Sequence, residues 1–394
     1  MARPERNQDA VEAASPMDLR TLRPPRQLLP VRERTAQEDQ QLEAKLEWFY
    51  RARYGVFVHF VPRMGRHMQG PAWTSEQWNR WVDDVDVEAF AGQVEQIGAG
   101  YVVLTICASN DYYCAPNPVL ESIWGFEPGE FGSTRDLPMD LYEALDKSDI
   151  RLLLYVNSTP PSTTCDRARS RARAAGWTAG FDTTGSRPRL QSSYTELGLE
   201  NWAEALRWWS DHYGERCAGW WIDGARDAYQ GGKVHEAVKS GHPKAIAASH
   251  WYALSDYHHG HCANWEEQRQ RIPRQDPSPW AERLLPSEQV ARPVAPEVGR
   301  WVRPFQARPG FRIQYHVAQY LGKKWGSPGV AHPTREMVDY TKAVVQRGGV
   351  FSFDIGTFRV HDSPALGDGP YLRVPDEQME QLRAVHDALR GVRG

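Results

Sequence analysis

Short apolar runs without polar interruption recur along this chain, and longer stretches with helical spacing of their apolar residues lie between them. A strand that is apolar on both faces has to be buried on both faces, which is typical of a parallel sheet covered by helices. This alternation predicts an α/β fold. Strands are predicted over residues 54–60, 101–106, 151–157, 219–223, 244–249 and 350–355, and helices over 87–98, 141–148, 201–213 and 334–347.

The number and order of these units favour a closed barrel. Five strand–helix units precede residue 250 and one more follows near the end, and no Gly-rich dinucleotide fingerprint follows the first strand. We therefore predict a single (β/α)8 TIM-type barrel over residues 46–394. A long insertion near 260–310 is expected to build the rim of its active site. Residues 1–45 are predicted to be an N-terminal arm, partly disordered or wrapped on the surface.

Composition limits the classes of partner and compartment. The formal net charge of −3 gives no indication of a nucleic-acid or membrane partner, and no apolar run reaches the ~20 residues that span a bilayer. The five cysteines are scattered and odd in number, which favours free thiols in a reducing compartment. The first twenty residues lack the apolar core of a secretion signal, so we expect a cytoplasmic protein. None of these features predicts an oligomeric state.

Barrel enzymes carry their catalytic groups at the carboxyl ends of the strands. Asp223 follows the apolar run Trp220-Trp221-Ile222 and is the strongest candidate for a catalytic carboxylate. Its alternative roles are a cap of the next helix and an ion pair with Arg226. Flat aromatic faces suit sugar rings, although core packing is the usual role of Trp and Tyr. The predicted substrate-binding residues are His59, Trp81, Asn110, Asp111, Tyr155, Asn157, Trp221, Arg226, His250 and Trp251.

Segments in the same order resemble glycoside hydrolase family 29, the α-L-fucosidases, from about residue 48 to 390. Residues 48–60 (WFYRARYGVFVHF) resemble the opening strand of that family, and residues 98–105 resemble its second strand. Further matches are 133–158 with its R-D-L helix and third strand, 194–224 with its L-W-F-D-G strand, and 344–356 with its glycine-rich last strand. The resemblance implies a barrel glycosidase in which Asp223 is the nucleophile and His59 contacts the sugar.

The chain departs from the family at the sugar pocket. Where the family has K-H-H-D-G-F, this chain has residues 107–112, CASNDY, so both histidines are absent. The family's glutamate after the fifth strand corresponds to His261, and the family's C-terminal β-sandwich has no counterpart here. Each lost partner of a buried sugar hydroxyl costs about 1–3 kcal/mol, so simple fucosides are expected to bind weakly.

A retaining glycosidase needs a second group that protonates the leaving oxygen. Glu266 and Glu267 are the first carboxylates after His261, and their alternative role is a solvated charge pair. His261 is the other candidate for this proton transfer. Residues 258–262 (HHGHC) lack the spacing of a metal site, so no metal or cofactor is expected.

Two functions follow from these observations. The first is retaining hydrolysis of a small soluble glycoside. The second is a repurposed barrel that catalyses a non-hydrolytic reaction on a sugar-like or specialised metabolite, or that only binds it. A glutamate roughly 5–5.5 Å from Asp223 favours the first, and a histidine in that place favours the second.

Overall fold

The computed structural model describes residues 34–60, 74–107, 112–157, 179–181, 190–192, 196–223, 232–249, 254–260, 300–302, 313–323, 325–356 and 372–392. Its strands are β1 Tyr54–Val58, β2 Tyr101–Thr105, β3 Arg151–Asn157, β4 Ala179–Phe181, β5 Leu190–Ser192, β6 Cys217–Asp223, β7 Ile246–Ser249, β8 Trp301–Val302, β9 Ile313–Gln314, β10 His316–Tyr320 and β11 Val350–Ile355. The helices are α1 Ala36–Ala52, α2 Ser75–Asp83, α3 Val87–Gln96, α4 Pro118–Trp124, α5 Leu137–Asp146, α6 Glu196–Tyr213, α7 Lys233–Val238, α8 Thr334–Gln346 and α9 Asp376–Leu389.

Seven strands form one parallel sheet in the order β10-β11-β1-β2-β3-β6-β7. The predicted α/β fold with a parallel sheet is therefore confirmed. The prediction of a closed eight-stranded barrel is corrected, since the described strands form an open half-barrel whose edges are β7 and β10. The pairs β4–β5 and β8–β9 are short antiparallel ribbons outside this sheet.

The segment 254–260 lies between the two edges of the sheet. The Asp256 amide donates to the Ala247 carbonyl at 2.7 Å, and the Ala318 amide donates to the Gly260 carbonyl at 3.3 Å. The segment does not continue as a strand, because the Asp256 side chain takes the Ala247 amide and Gly260 has a φ of 79°. Hydrogen bonds therefore bridge the open edges without a regular ladder.

Apolar residues pack on both faces of the sheet, as the uninterrupted apolar strands predict. The outer face packs against the helices. The inner face forms a second core with Leu42, Leu46 and Phe49 of α1. Helix α1 begins at Ala36, within the range that the sequence assigned to an arm, and Thr35 and Glu38 form its capping box. Residues 1–33 of that arm lie outside the described part of the chain.

An ionic cluster ties α1 to the bridging segment. Lys45 Nζ and Lys239 Nζ lie 2.7 and 2.8 Å from the same oxygen of Asp256, which is 7% exposed. Burial alone would raise the pKa of Asp256, but the two lysine charges outweigh it and hold that pKa well below its usual range. Burial lowers the pKa of Lys45 to about 8, although the Asp256 charge opposes the shift. The cluster therefore holds a buried carboxylate in its ionised form.

Three of the five cysteines are described. Cys107, Cys114 and Cys217 are buried free thiols, and Cys165 and Cys262 lie outside the described residues. Burial raises the pKa of Cys107 to about 12 and that of Cys217 to about 12, so these two groups stay protonated and unreactive near neutral pH. Within the described ranges, every helix is too short or too polar to cross a membrane.

Candidate active site

The carboxyl ends of the parallel strands bring polar side chains to one edge of the sheet. His59 follows β1, Asn157 ends β3, Asp223 ends β6, and Asp354 lies next to the last residue of β11. The register pairs Asn157 with Asp223 on neighbouring strands. Since side chains alternate along a strand, these positions lie on the same inner face as Phe57 and Tyr155. The sheet thus assembles a concave polar site over the inner core.

Asp223 is half-buried and is held by Tyr155. The Tyr155 hydroxyl donates to Oδ2 of Asp223 at 2.9 Å. Burial raises the pKa of Tyr155 well above its usual value, and the Asp223 charge raises it further. The phenol therefore remains a hydrogen-bond donor, which stabilises the ionised form of Asp223. Residues 224–231, including the alternative partner Arg226, lie outside the described residues.

His59 is anchored by Asp354. His59 Nδ1 lies 2.5 Å from Oδ1 of Asp354, and the Gly326 amide donates to the other carboxylate oxygen at 2.5 Å. Burial raises the pKa of Asp354, while His59 and the Gly326 amide act in the opposite direction. This contact engages Nδ1 of His59 and leaves Nε2 for another partner.

Aromatic rings form the floor of the site. Trp221 stacks on Tyr155 with the ring centroids 5.0 Å apart and on His259 at 3.5 Å. The indole Nε1 of Trp221 donates to the His259 carbonyl at 3.0 Å, which ties β6 to the bridging segment. Trp325 packs 5.3 Å from the ring of His59. Trp221, Tyr155 and His259 are buried, whereas Trp325 is partly exposed and offers a flat apolar face of the kind that suits a sugar ring.

The structure brings five of the predicted site residues together, namely His59, Tyr155, Asn157, Trp221 and Asp223. Trp81 lies in the outer core, where it is 3% exposed and stacks on Phe60 at 4.5 Å. The other predicted residues lie outside the described part of the chain. They are Glu266, Glu267, His261, Asn110, Asp111, Arg226, His250 and Trp251.

No specific role was predicted for Asp354 or Trp325. Asp354 had a usable signal, because it stands at the carboxyl end of a predicted strand. Its contact with His59 depends on β11 pairing with β1, which periodicity does not reveal. Trp325 follows β10, a strand that the apolar pattern did not predict because it contains the buried polar residues His316 and Gln319.

Two further histidines are part of the framework. His316 Nδ1 bonds to the His258 carbonyl at 2.8 Å, and His316 Nε2 bonds to Ser352 Oγ at 2.8 Å. Burial lowers the pKa of His316 to about 3, so it is neutral near pH 7. Among the described residues, no three His, Cys, Asp or Glu side chains are grouped as metal ligands. His261 and Cys262 lie outside that range.

No protein-family model matches the chain, and no curated protein matches it in sequence. Solved structures do match. The endo-fucoidan hydrolase MfFcnA4 of glycoside hydrolase family 107 aligns with a TM-score of 0.61 at 16% identity, over 88% of this chain and 54% of that one. The family 107 enzyme MfFcnA9 aligns with a TM-score of 0.62 at 16% identity, over 89% and 64%. This chain therefore spans only about half of MfFcnA4 and less than two thirds of MfFcnA9.

The α-L-fucosidase AlfC from Lactobacillus casei, solved with its α-L-fucose product, also matches. It aligns with a TM-score of 0.53 at 14% identity, over 88% of this chain and 98% of that one. An aspartate-to-alanine mutant of AlfC, solved with 4-nitrophenyl-α-L-fucopyranoside, aligns with a TM-score of 0.54. At such identities the likeness concerns the fold alone. The chain has a fold similar to that of fucosidases and fucoidan hydrolases.

Proposed function

We propose that this chain is a glycoside hydrolase that acts on a small soluble glycoside by a retaining mechanism with Asp223 as nucleophile. The observation that carries the proposal is the half-buried Asp223 carboxylate at the end of β6, held by the Tyr155 hydroxyl at 2.9 Å. The fold likeness to fucosidases and fucoidan hydrolases supports a sugar substrate. The proposed catalytic domain spans residues 46–394.

The proposed chemistry follows from these groups. Asp223 attacks the anomeric carbon, the leaving oxygen takes a proton, and the resulting glycosyl ester is hydrolysed by water. Tyr155 supports this role because its hydroxyl orients the carboxylate and favours its ionised form. His59, fixed by Asp354, would present Nε2 to a sugar hydroxyl. Trp325 supplies apolar surface beside the His59 ring, and Trp221 packs against Phe57 beneath the site.

The acid that protonates the leaving group is proposed to be Glu266 or Glu267, with His261 as the alternative.

A single observation favours the second candidate function, a non-hydrolytic reaction on a sugar-like metabolite or binding alone. His261 stands where fucosidases have a glutamate, and histidine suits proton transfer without a carboxylate pair.

A panel of 4-nitrophenyl glycosides tests the proposal. We expect release of nitrophenol from at least one α- or β-glycoside, with simple α-L-fucoside among the weaker substrates because the histidines of the family pocket are absent. Proton NMR of the first sugar product should give the same anomer as the substrate, since two displacements restore the configuration. Product of opposite configuration, or no turnover of any glycoside by the folded protein, contradicts the proposal.

A further inference from the structure

The turn formed by residues 325–329 touches the site at two points. The Gly326 amide donates to Asp354, which in turn holds His59, and the Trp325 ring packs against His59. Gly326 has a φ of 65°, in the left-handed region that favours glycine. The placement of His59 therefore depends on the placement of this turn.

One buried side chain from the last helix holds the same turn. Gln378, near the start of α9, is 0% exposed. Its Nε2 donates to the carbonyls of Ser327 at 3.0 Å and Gly329 at 2.7 Å. Its Oε1 accepts from the Gly356 amide at 2.8 Å, directly after β11. Gln378 thus links the turn to the strand that carries Asp354.

Backbone packs closely against the turn on two sides. A Cβ on Gly356 would lie 2.3 Å from the backbone of Ser327 and Pro328, and a Cβ on Gly322 would lie 2.2 Å from the Ser327 carbonyl oxygen. These two positions have no room for a side chain, so the close contacts hold only while the turn keeps its place. Loss of the Gln378 amide would leave one buried carbonyl, one partly buried carbonyl and one buried amide without this partner, which favours a displaced turn.

We propose that Gln378 is a positioning residue for the site: it fixes the 325–329 turn so that Gly326 and Trp325 hold the Asp354–His59 pair in register. The proposal concerns the geometry of His59, and it rests on the proposed function only for the catalytic consequence. A series of contacts therefore runs from Gln378 through the turn and Asp354 to His59. It connects the last helix to the residue that follows the first strand.

The matched pair of variants is Gln378→Met and Gln381→Met. Methionine keeps the length of glutamine without its donors and acceptor. Gln381 is 1% exposed on the same helix, and its Nε2 donates to the His332 carbonyl, outside the turn. Gln378→Asn, which keeps the amide on a shorter arm, serves as a second variant if Gln378→Met does not fold.

The first readout is the imidazole N–H proton of His59, which should give a downfield NMR signal because it is held by a carboxylate. Loss of the signal in His59→Gln and in Asp354→Asn assigns it. We expect the signal to broaden or vanish in Gln378→Met and to persist in Gln381→Met. An unchanged signal in folded Gln378→Met, an equal loss in Gln381→Met, or no such signal in the native protein overturns the proposal.

The second readout is turnover of whichever glycoside the panel identifies. Misplacement of the pair should lower kcat/KM by about tenfold to a hundredfold in Gln378→Met, with little change in Gln381→Met. The NMR readout needs no substrate, so a failure of the proposed hydrolysis is distinguishable from a failure of the positioning role.

Discussion

Replacement of Asp223 by Asn is expected to lower turnover by about 10⁴-fold or more while the melting temperature stays close to that of the native protein. Asparagine keeps the shape of the side chain and can still accept from Tyr155 at its amide oxygen, but it has no charge with which to attack the anomeric carbon. Initial rates and thermal melting are measured on one preparation. Near-native turnover with a lowered melting temperature would identify Asp223 as a structural residue instead.

Tyr155→Phe should lower activity by less than Asp223→Asn does, because it removes only the hydrogen bond to the carboxylate. A hydrogen bond to a charged group contributes about 1.5–3 kcal/mol, so its loss should lower kcat/KM by roughly tenfold to a hundredfold. Tyr101→Phe is the control, because Tyr101 is also a fully buried phenol on the inner face and bonds instead to Phe351 O and Ser352 Oγ. We expect little catalytic change in the control. Equal losses in both tyrosine variants would contradict a specific role for the Tyr155–Asp223 contact.

Asp256→Asn is expected to lower the free energy of unfolding by about 3–5 kcal/mol, because it leaves two partly buried lysines without their shared anion. Chemical denaturation measures the change. The control is Asp376→Asn, which removes an exposed ion pair with Arg373 and should change stability little. A loss in Asp256→Asn no larger than that of the control would mean that the cluster does not hold the bridging segment.

The pH dependence of stability provides a second check on this cluster. The folded-state pKa of Asp256 lies below its ordinary value of 3.8, so the carboxylate binds fewer protons in the folded state than in the unfolded state. The stability it contributes is fully present above that ordinary pKa and is lost as the pH falls toward the folded-state value. Asp256→Asn should therefore weaken the dependence of unfolding free energy on pH below about 4, relative to the native protein.

The sequence predicted the strands whose apolar pattern lies within one short segment of the chain. Strands β3 and β11 have the predicted bounds because each is a mainly apolar run followed by a polar or small residue. Strand β10 (HVAQY) was missed, because His316 and Gln319 are buried through hydrogen bonds that no periodicity reveals. The open edges were missed as well, since the bridging by segment 254–260 depends on the Asp256 side chain and on Gly260 rather than on an apolar run.

The candidate site was likewise predicted only where its signal is local to one segment of the sequence. The position of Asp223 at a strand end was predicted, because the apolar run before it fixes where the strand stops. The pairing of His59 with Asp354 joins residues 295 positions apart, and the role of the 325–329 turn depends on a glutamine from the last helix. Such contacts follow from sheet order and packing, which a single sequence does not specify.

The most direct measurement for the proposed function is covalent trapping of the nucleophile. A 2-deoxy-2-fluoro glycosyl fluoride of the sugar that the panel identifies slows both displacements, while its good leaving group still permits the first, so a glycosyl ester accumulates. Peptide mass spectrometry of the trapped protein should find the added sugar on Asp223. Continued turnover with no adduct, or an adduct on another residue, would contradict a retaining mechanism with Asp223 as nucleophile.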